Sequence, residues 1–228
     1  MTIRIIILGT GGNCIDILDT LNDVNAARGA RVYECAGFLD DAPDRAGAEL
    51  HGVKVLGPLS LAPSLAGARF VNGIGSPDNF WNKPAILAKT GLLDRPDRFE
   101  TIIHPTASVS SLAHLGRGTV VLQHVTIASN ARVGAHVIVL PNSVVSHDVA
   151  IGDFSCVASG ACLSGGVTVG PCSYVGANAC VRGGVTLGRG CLVGLGSVVL
   201  TDVADDTVVV GNPARVLRKA RPQGGGPA

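Results

Sequence analysis

From Ile103 onward the chain places an Ile, Val or Leu at every sixth residue without a break, through Val109, Leu115, Val121, Ile127, Val133, Val139 and Val145 to Val199. Four residues after each stands a small or β-branched side chain, as at Ala107, Thr119, Ser143, Ala161 and Val203. A period of six fits neither the 3.6 of a helix nor the 2 of a strand meander. It fits short flat strands joined by tight corners, each hexad forming one side of a coil. Gly116, Gly134, Gly152, Gly170 and Gly188 return every eighteen residues, so three hexads close a turn and the predicted solid is a triangular prism. Residues eighteen apart then stack at the inter-strand spacing, roughly 4.8 Å. The outward column of one face is apolar: Ile102, Val120, Ile138, Cys156, Tyr174 and Leu192, with Leu122 and Leu140 beside it. The matching column of another face reads His114, Arg132, Ala150, Thr168 and Thr186. An apolar stripe on one side of a prism predicts a partner subunit there.

Residues 1–98 lack the hexad and alternate between strand and helix patterns. Strands are predicted at Ile3 to Leu8, Val32 to Leu39, Val53 to Leu56 and Phe70 to Ile74, with helices near Cys14 to Asn25 and Asn79 to Thr90. That alternation predicts a small parallel α/β sheet of Rossmann-like character. The division expected is therefore 1–98 for a nucleotide-sugar-binding domain, 99–219 for an all-β parallel β-helix with a carboxy-terminal loop, and 220–228 for a disordered tail. Gly9 and Gly11 occupy the first two glycine places of a dinucleotide turn, but Cys14 takes the third, so a phosphate-sugar or nucleotide ligand is favoured over NAD. Candidate acceptor contacts are Gly11, Gly12 and Asn13 in the turn, and Asp40 and Asp41 at the carboxyl end of the second strand, where open α/β sheets bind ligands. A solvated, capping turn explains the two aspartates equally well.

Composition narrows the function. Hydrophobic residues are 46% of the chain, charged ones 15%, and the net charge is +1, which leaves no basic face for nucleic acid and no span for a membrane. The partner expected is a small molecule, in the cytoplasm. Seven Cys without a CxxC pair fit reduced, packed thiols rather than disulfides or zinc. His124, His136 and His147 do not stack at eighteen, which speaks against a β-helix metalloenzyme and leaves the expected metal content at none.

Among the histidines, position singles out His147. Its column holds Ser111, Ser129, Gly165, Gly183 and Thr201, and that of Asp148 holds Gly166 and Gly184. Glycine pairs at corners serve backbones of positive φ. Beside the one His-Asp pair of the repeat they also leave a groove in which a thin chain such as a pantetheine arm fits. Acyl transfer needs a base for the nucleophile's proton and a donor for the thioester oxyanion.

The chain resembles the bacterial sugar O-/N-acyltransferases with hexapeptide repeats, typified by sialic acid O-acetyltransferases and bacillosamine-type sugar-nucleotide N-acetyltransferases. The matching stretches are the GTGG turn at 9–12, FLDD at Phe38 to Asp41, GIG at Gly73 to Gly75, IIHPTASVS at Ile102 to Ser110, NSVVSHDVAIGDF at Asn142 to Phe154, and GNPAR at Gly211 to Arg215. The resemblance implies a left-handed β-helix, against the usual right-handed crossover, and a homotrimer joined through the apolar face. It implies acetyl-CoA as donor and a nucleotide-linked amino sugar of 4-amino-4,6-dideoxyhexose type as acceptor. His147 is then the general base, Asp148 its orienting acid, and the Gly165 amide faces the thioester carbonyl. Gly165, Gly183, Gly194, Arg215 and Arg218 are the expected acetyl-CoA contacts, the last two in a loop folded back over the donor. Two positions depart from the family: Asn13 stands where a His is common, and Cys156 where a second, substrate-side His is common. An O-acetyltransferase of sialic acid type and a noncatalytic trimeric module remain the alternatives.

Overall fold

The computed structural model describes residues 2–220; apart from Ala220, the tail expected at 220–228 lies outside them. The chain begins with β1 (Ile3–Leu8), α1 (Gly12–Arg28) and β2 (Tyr33–Leu39), followed by β3 (Glu49–Leu50), β4 (Val53–Gly57) and β5 (Ala68–Asn72). They form one sheet in the order β3-β4-β2-β1-β5. Only the β3–β4 pair, a short hairpin the hydrophobic pattern does not reveal, is antiparallel. Helix α1 ends where Gly29 takes the left-handed conformation, φ 58°, a geometry that suits glycine at a helix end. The helix expected over 79–90 is shorter: a 3-10 turn at Phe80–Asn82 and then α2 (Lys83–Ala88), with Pro84 in the first turn.

Seventeen two-residue strands, β6 to β22, follow at six-residue steps from Ile102–Ile103 to Val198–Val199. They pair in parallel, each with the strand eighteen residues away, and build three flat faces wound into a left-handed prism. We number the faces by their first strands: Ile102–Ile103, Ser108–Val109 and His114–Leu115. The inward aliphatics and the small residues four positions on form one continuous core from Val121 to Val209. Each aliphatic side chain so buried is worth about 1.5–3 kcal/mol relative to exposure. Hydroxyls in the second column do not compromise that core, because Thr119, Ser143, Ser155 and Ser173 each find a carbonyl on the next coil: Thr119 Oγ1 donates to Gly134 O at 2.8 Å and Ser155 Oγ to Gly170 O at 3.0 Å. The eighteen-residue glycine column is steric in origin. A Cβ at Gly116 would lie 2.5 Å from the amide nitrogen of Ala135 on the next coil.

Two expectations are corrected here. The apolar outer column does not await another subunit, because the chain covers it itself. Ile102, Val120, Leu122, Ile138 and Cys156 are buried in one cluster with Ile5, Ile17, Leu21 and Phe38 of the amino-terminal unit. Further along the same face, Tyr174 and Leu192 pack with Phe80 and Val208. Hydrophobic burial has no direction of its own, so the pattern identified a covered face without identifying the cover. Nor is the carboxy-terminal segment a loop: β23 (Thr207–Val210) pairs in parallel with Leu192–Val193, and β24 (Arg215–Lys219) returns antiparallel to it. That hairpin extends the first face.

Candidate active site

The Gly-rich turn between β1 and α1 forms the floor of a cavity of about 600 Å³. Gly11, Gly12, Asn13, Asp40 and Asp41 all line it, so the structure brings the expected acceptor contacts together. Asp40 accepts from the Thr10 hydroxyl at 2.6 Å and from the Ala42 amide at 2.9 Å. Asp41 accepts from the Leu59 amide at 2.9 Å and pairs with Lys89 at 2.8 Å. Partial burial pushes the Asp41 carboxyl upward, but the bonds from Lys89 and Leu59 outweigh it and hold the group below the usual carboxylate range. Both aspartates thus cap backbone and line the cavity at once. Asn13 spans the pocket as a strut, its Nδ2 donating to Gly75 O at 3.0 Å. Cys14 fills the place of the missing third glycine; its sulfur lies against Gly73, which has no Cβ to obstruct it, and burial pushes its thiol up to about 12. Thr10, Lys89, Leu140 and Tyr174 also line the cavity. Sequence reasoning missed all four as site residues, and the last two reach it from the β-helix.

His147 stands at the corner between the second and third faces, on the turn from Val144–Val145 to Ala150–Ile151. Its Nδ1 lies 2.8 Å from Asp148 Oδ2, and the two side chains are 66% and 56% exposed. Asp148 Oδ1 accepts in turn from Asn130 Nδ2 at 3.1 Å. These bonds, His147 first and Asn130 second, hold the Asp148 carboxyl below its ordinary range. An anionic Asp148 acceptor selects the tautomer with its proton on Nδ1, leaving Nε2 free to accept one. Asn130 was missed, although it sits eighteen residues before Asp148, and the stacking rule places the two side by side.

The glycines divide. A Cβ on Gly165 would lie 2.5 Å from His147 Cε1 and 2.6 Å from Nε2, so this glycine is where the imidazole rests. Gly166 and Gly184 take φ of 71° and 73°, which bears out the conformational reading of that column. Among the described residues the amides of Gly165 and Gly183 donate no hydrogen bond within the chain. Gly194 lies at a different corner, between the first and second faces; its amide is bound to Val209 O at 2.8 Å, and Val210 packs against it. The structure does not bring it to His147. The column His147, Gly165, Gly183 leads to Thr201, which lines a hollow of about 750 Å³ together with Arg215 and Arg218 of β24.

Two other histidines are committed elsewhere. His136 is sandwiched between Phe99 and Phe154, and burial lowers it to about 4. His104 is held by Asp23 at 2.8 Å. Cys156 is fully buried in the covered first face, its thiol pushed up to about 11 by burial, and it does not line the cavity. Among the described residues no group of three His, Cys, Asp or Glu side chains converges as a metal site would require. No helix among them is long and apolar enough to cross a membrane.

No family profile and no curated protein matches the chain. Solved structures do. The acetyltransferase domain of PglB from Neisseria gonorrhoeae, in complex with acetyl coenzyme A, is 30% identical over 95% of this chain and 100% of that one, with a TM-score of 0.82. A variant of the GDP-perosamine N-acetyl transferase from Caulobacter crescentus, in complex with CoA and GDP-perosamine, is 28% identical over 95% and 97% of the two chains, with a TM-score of 0.79. WeeI from Acinetobacter baumannii, 24% identical over 95% and 100%, shares the fold with a TM-score of 0.78.

Proposed function

Since the chain belongs to the bacterial sugar acyltransferases with hexapeptide repeats, we propose that it transfers acetyl from acetyl-CoA to the amino group of a nucleotide-linked sugar, with His147 as general base. It is an acyltransferase, and acetyl-CoA is its donor. The observation that carries the acceptor is the cavity at the start of α1, which gathers backbone amides, Asn13, Asp40, Asp41 and Lys89 around one space. A helix amino terminus and an adjacent cation suit a nucleotide's phosphates, and carboxylates suit sugar or ribose hydroxyls. By the family resemblance the acceptor is of the 4-amino-4,6-dideoxyhexose type, and the GDP-perosamine in the Caulobacter structure supports an amine over a hydroxyl.

Direct transfer accounts for the dyad. In this reading the donor chain follows the column from Thr201 to Gly165, with Arg215 and Arg218 meeting its phosphates and the Gly165 amide meeting the carbonyl oxygen as it gains charge. As the sugar amine attacks, His147 Nε2 takes its proton and Asp148 stabilises the imidazolium; the thioester C–S bond then breaks and the imidazolium gives the proton to the departing CoA sulfur, which leaves as the free thiol. Three of the thiols are poor nucleophiles: Cys14, Cys35 and Cys156 are raised by burial, which disfavours the thiolate.

A second copy of the chain completes the reading. The cavity opens beside Leu140, at the corner between the first and second faces, and His147 occupies the corner between the second and third; the two share no lining residue. Within one chain a whole face separates base from acceptor. In a cyclic trimer the pocket corner of one protomer meets the dyad corner of the next. The expected setting is the cytoplasm, which the use of acetyl-CoA as donor supports. The test is a panel of nucleotide-linked 4-amino sugars incubated with acetyl-CoA while free thiol release is followed. Turnover of a hydroxyl sugar alone would move the protein to the O-acetyltransferases.

A further inference from the structure

One buried ionisable side chain between the cavity and the β-helix has no part in that chemistry. Lys83, the first residue of α2, is 0% exposed. Its Nζ donates to His136 O at 3.2 Å and to Ser155 O at 3.3 Å, carbonyls on successive coils of the β-helix. Among the described residues no carboxylate forms a salt bridge with it. The titratable groups that face it are the thiols of Cys156 and Cys172 and the imidazole of His136, and burial lowers the amine to about 8. A buried lysine without an acid partner stabilises a fold less than an apolar side chain of the same shape would. Its presence points to a task other than stability.

Its position supplies one. Gly75, Ser76, Pro77 and Asn79 before it, and Ile86 and Lys89 after it, line the acceptor cavity. A Cβ on Gly75 would lie 3.6 Å from Nζ itself. Helix α2 is six residues long, too short to hold its own conformation in water, so this wall needs an external anchor. We propose that Lys83 is a positioning residue of the acceptor pocket, pinning the wall from Gly75 to Lys89 to two carbonyls of the β-helix so that the cavity is formed before the acceptor arrives. The inference rests on that cavity being the acceptor site.

The test is Lys83→Met, which keeps the length and loses the donors. Its melting temperature is expected to match or exceed the wild type, while backbone amides over residues 75–89 exchange faster with solvent. Acceptor KM rises about tenfold, the scale of one hydrogen bond from a charged donor, and kcat and acetyl-CoA KM stay within about twofold. A stable Lys83→Met protein with unchanged exchange over 75–89, or with wild-type acceptor KM, overturns the proposal. Should the Met variant fail to fold, Lys83→Gln, which keeps two N–H donors on a shorter arm, is read by the same exchange measurement. Wild-type turnover separates this inference from the one beneath it. A wild type that acetylates no amino sugar overturns the acceptor reading, and the exchange over 75–89 then still decides whether the pin exists.

Discussion

Imidazole and glycine share one site at the corner of the prism, and the chemistry depends on which of them holds it. Any side chain on residue 165 must displace the His147 ring, since even a Cβ would come within 2.6 Å of two ring atoms. Gly165→Ala is therefore expected to lower kcat at least tenfold, on the scale of misplacing a positioned base, with acceptor KM within about twofold. A variant with wild-type kcat would mean that the ring acts from another position. His147→Ala removes the base and should lower kcat by about 10² to 10⁴, yet the melting temperature should hold because the side chain is mostly exposed and fills no core. Retention of more than about a third of kcat, far short of the general-base range, would show that another group takes the proton. The dyad was legible in the sequence because eighteen-residue stacking set one His-Asp pair beside bare glycine. Gly165 turned out to be the seat of the ring rather than an empty wall, since a column shows which residues are neighbours and not which side chain fills the gap.

At the level of elements, strict periodicity made all seventeen rungs readable, because a hexad constrains every residue to face in or out. The carboxy-terminal hairpin was not readable, because β24 is exposed along its whole length and carries no burial pattern. Helix α2 was overestimated for a related reason: its anchor is a charged residue, Lys83, that hydropathy assigns to solvent. That anchor has a signature in pH. Its folded value of about 8 lies below the ordinary lysine value of about 10.4, so the folded state holds the proton less tightly than the unfolded state. Lys83 therefore weakens the fold fully below about pH 8, and the penalty fades as pH climbs from there towards about 10.4. The thiols of Cys14, Cys35 and Cys156, raised by burial, pull the opposite way at alkaline pH, but they are common to wild type and variant. The excess urea midpoint of Lys83→Met over wild type should be largest near pH 7 and shrink by pH 10. A difference independent of pH would show that folding does not lower the amine at all, because only a pKa that differs between the folded and unfolded states makes stability depend on pH.

For the whole molecule, the covered first face changes what an assembly has to do. With that face buried against Ile5, Ile17 and Phe38, the first face is no longer an apolar stripe that a partner must hide, and the reason to associate under the proposed reading is the site itself: a pocket at one edge of the second face and a base at the other. A trimer in which each site draws its pocket from one protomer and its base from the next makes a quantitative demand. His147→Ala retains the pocket and lacks the base; Asp40→Asn with Asp41→Asn retains the base and, by losing two carboxylates from the cavity, should raise acceptor KM without changing acetyl-CoA KM. Neither should turn over acceptor well alone at low acceptor concentration. When the two are unfolded together in equal amounts and refolded, chance assembly pairs an intact pocket with an intact base at one site in four. Activity should then return to about a quarter of wild type, since each of the two partners is right half the time in a randomly filled ring. If base and pocket worked within one chain, every site in the mixture would carry one defect and the activity would equal the mean of the two variants. A monomeric mass at micromolar concentration, found alongside full wild-type turnover, would likewise exclude the shared site.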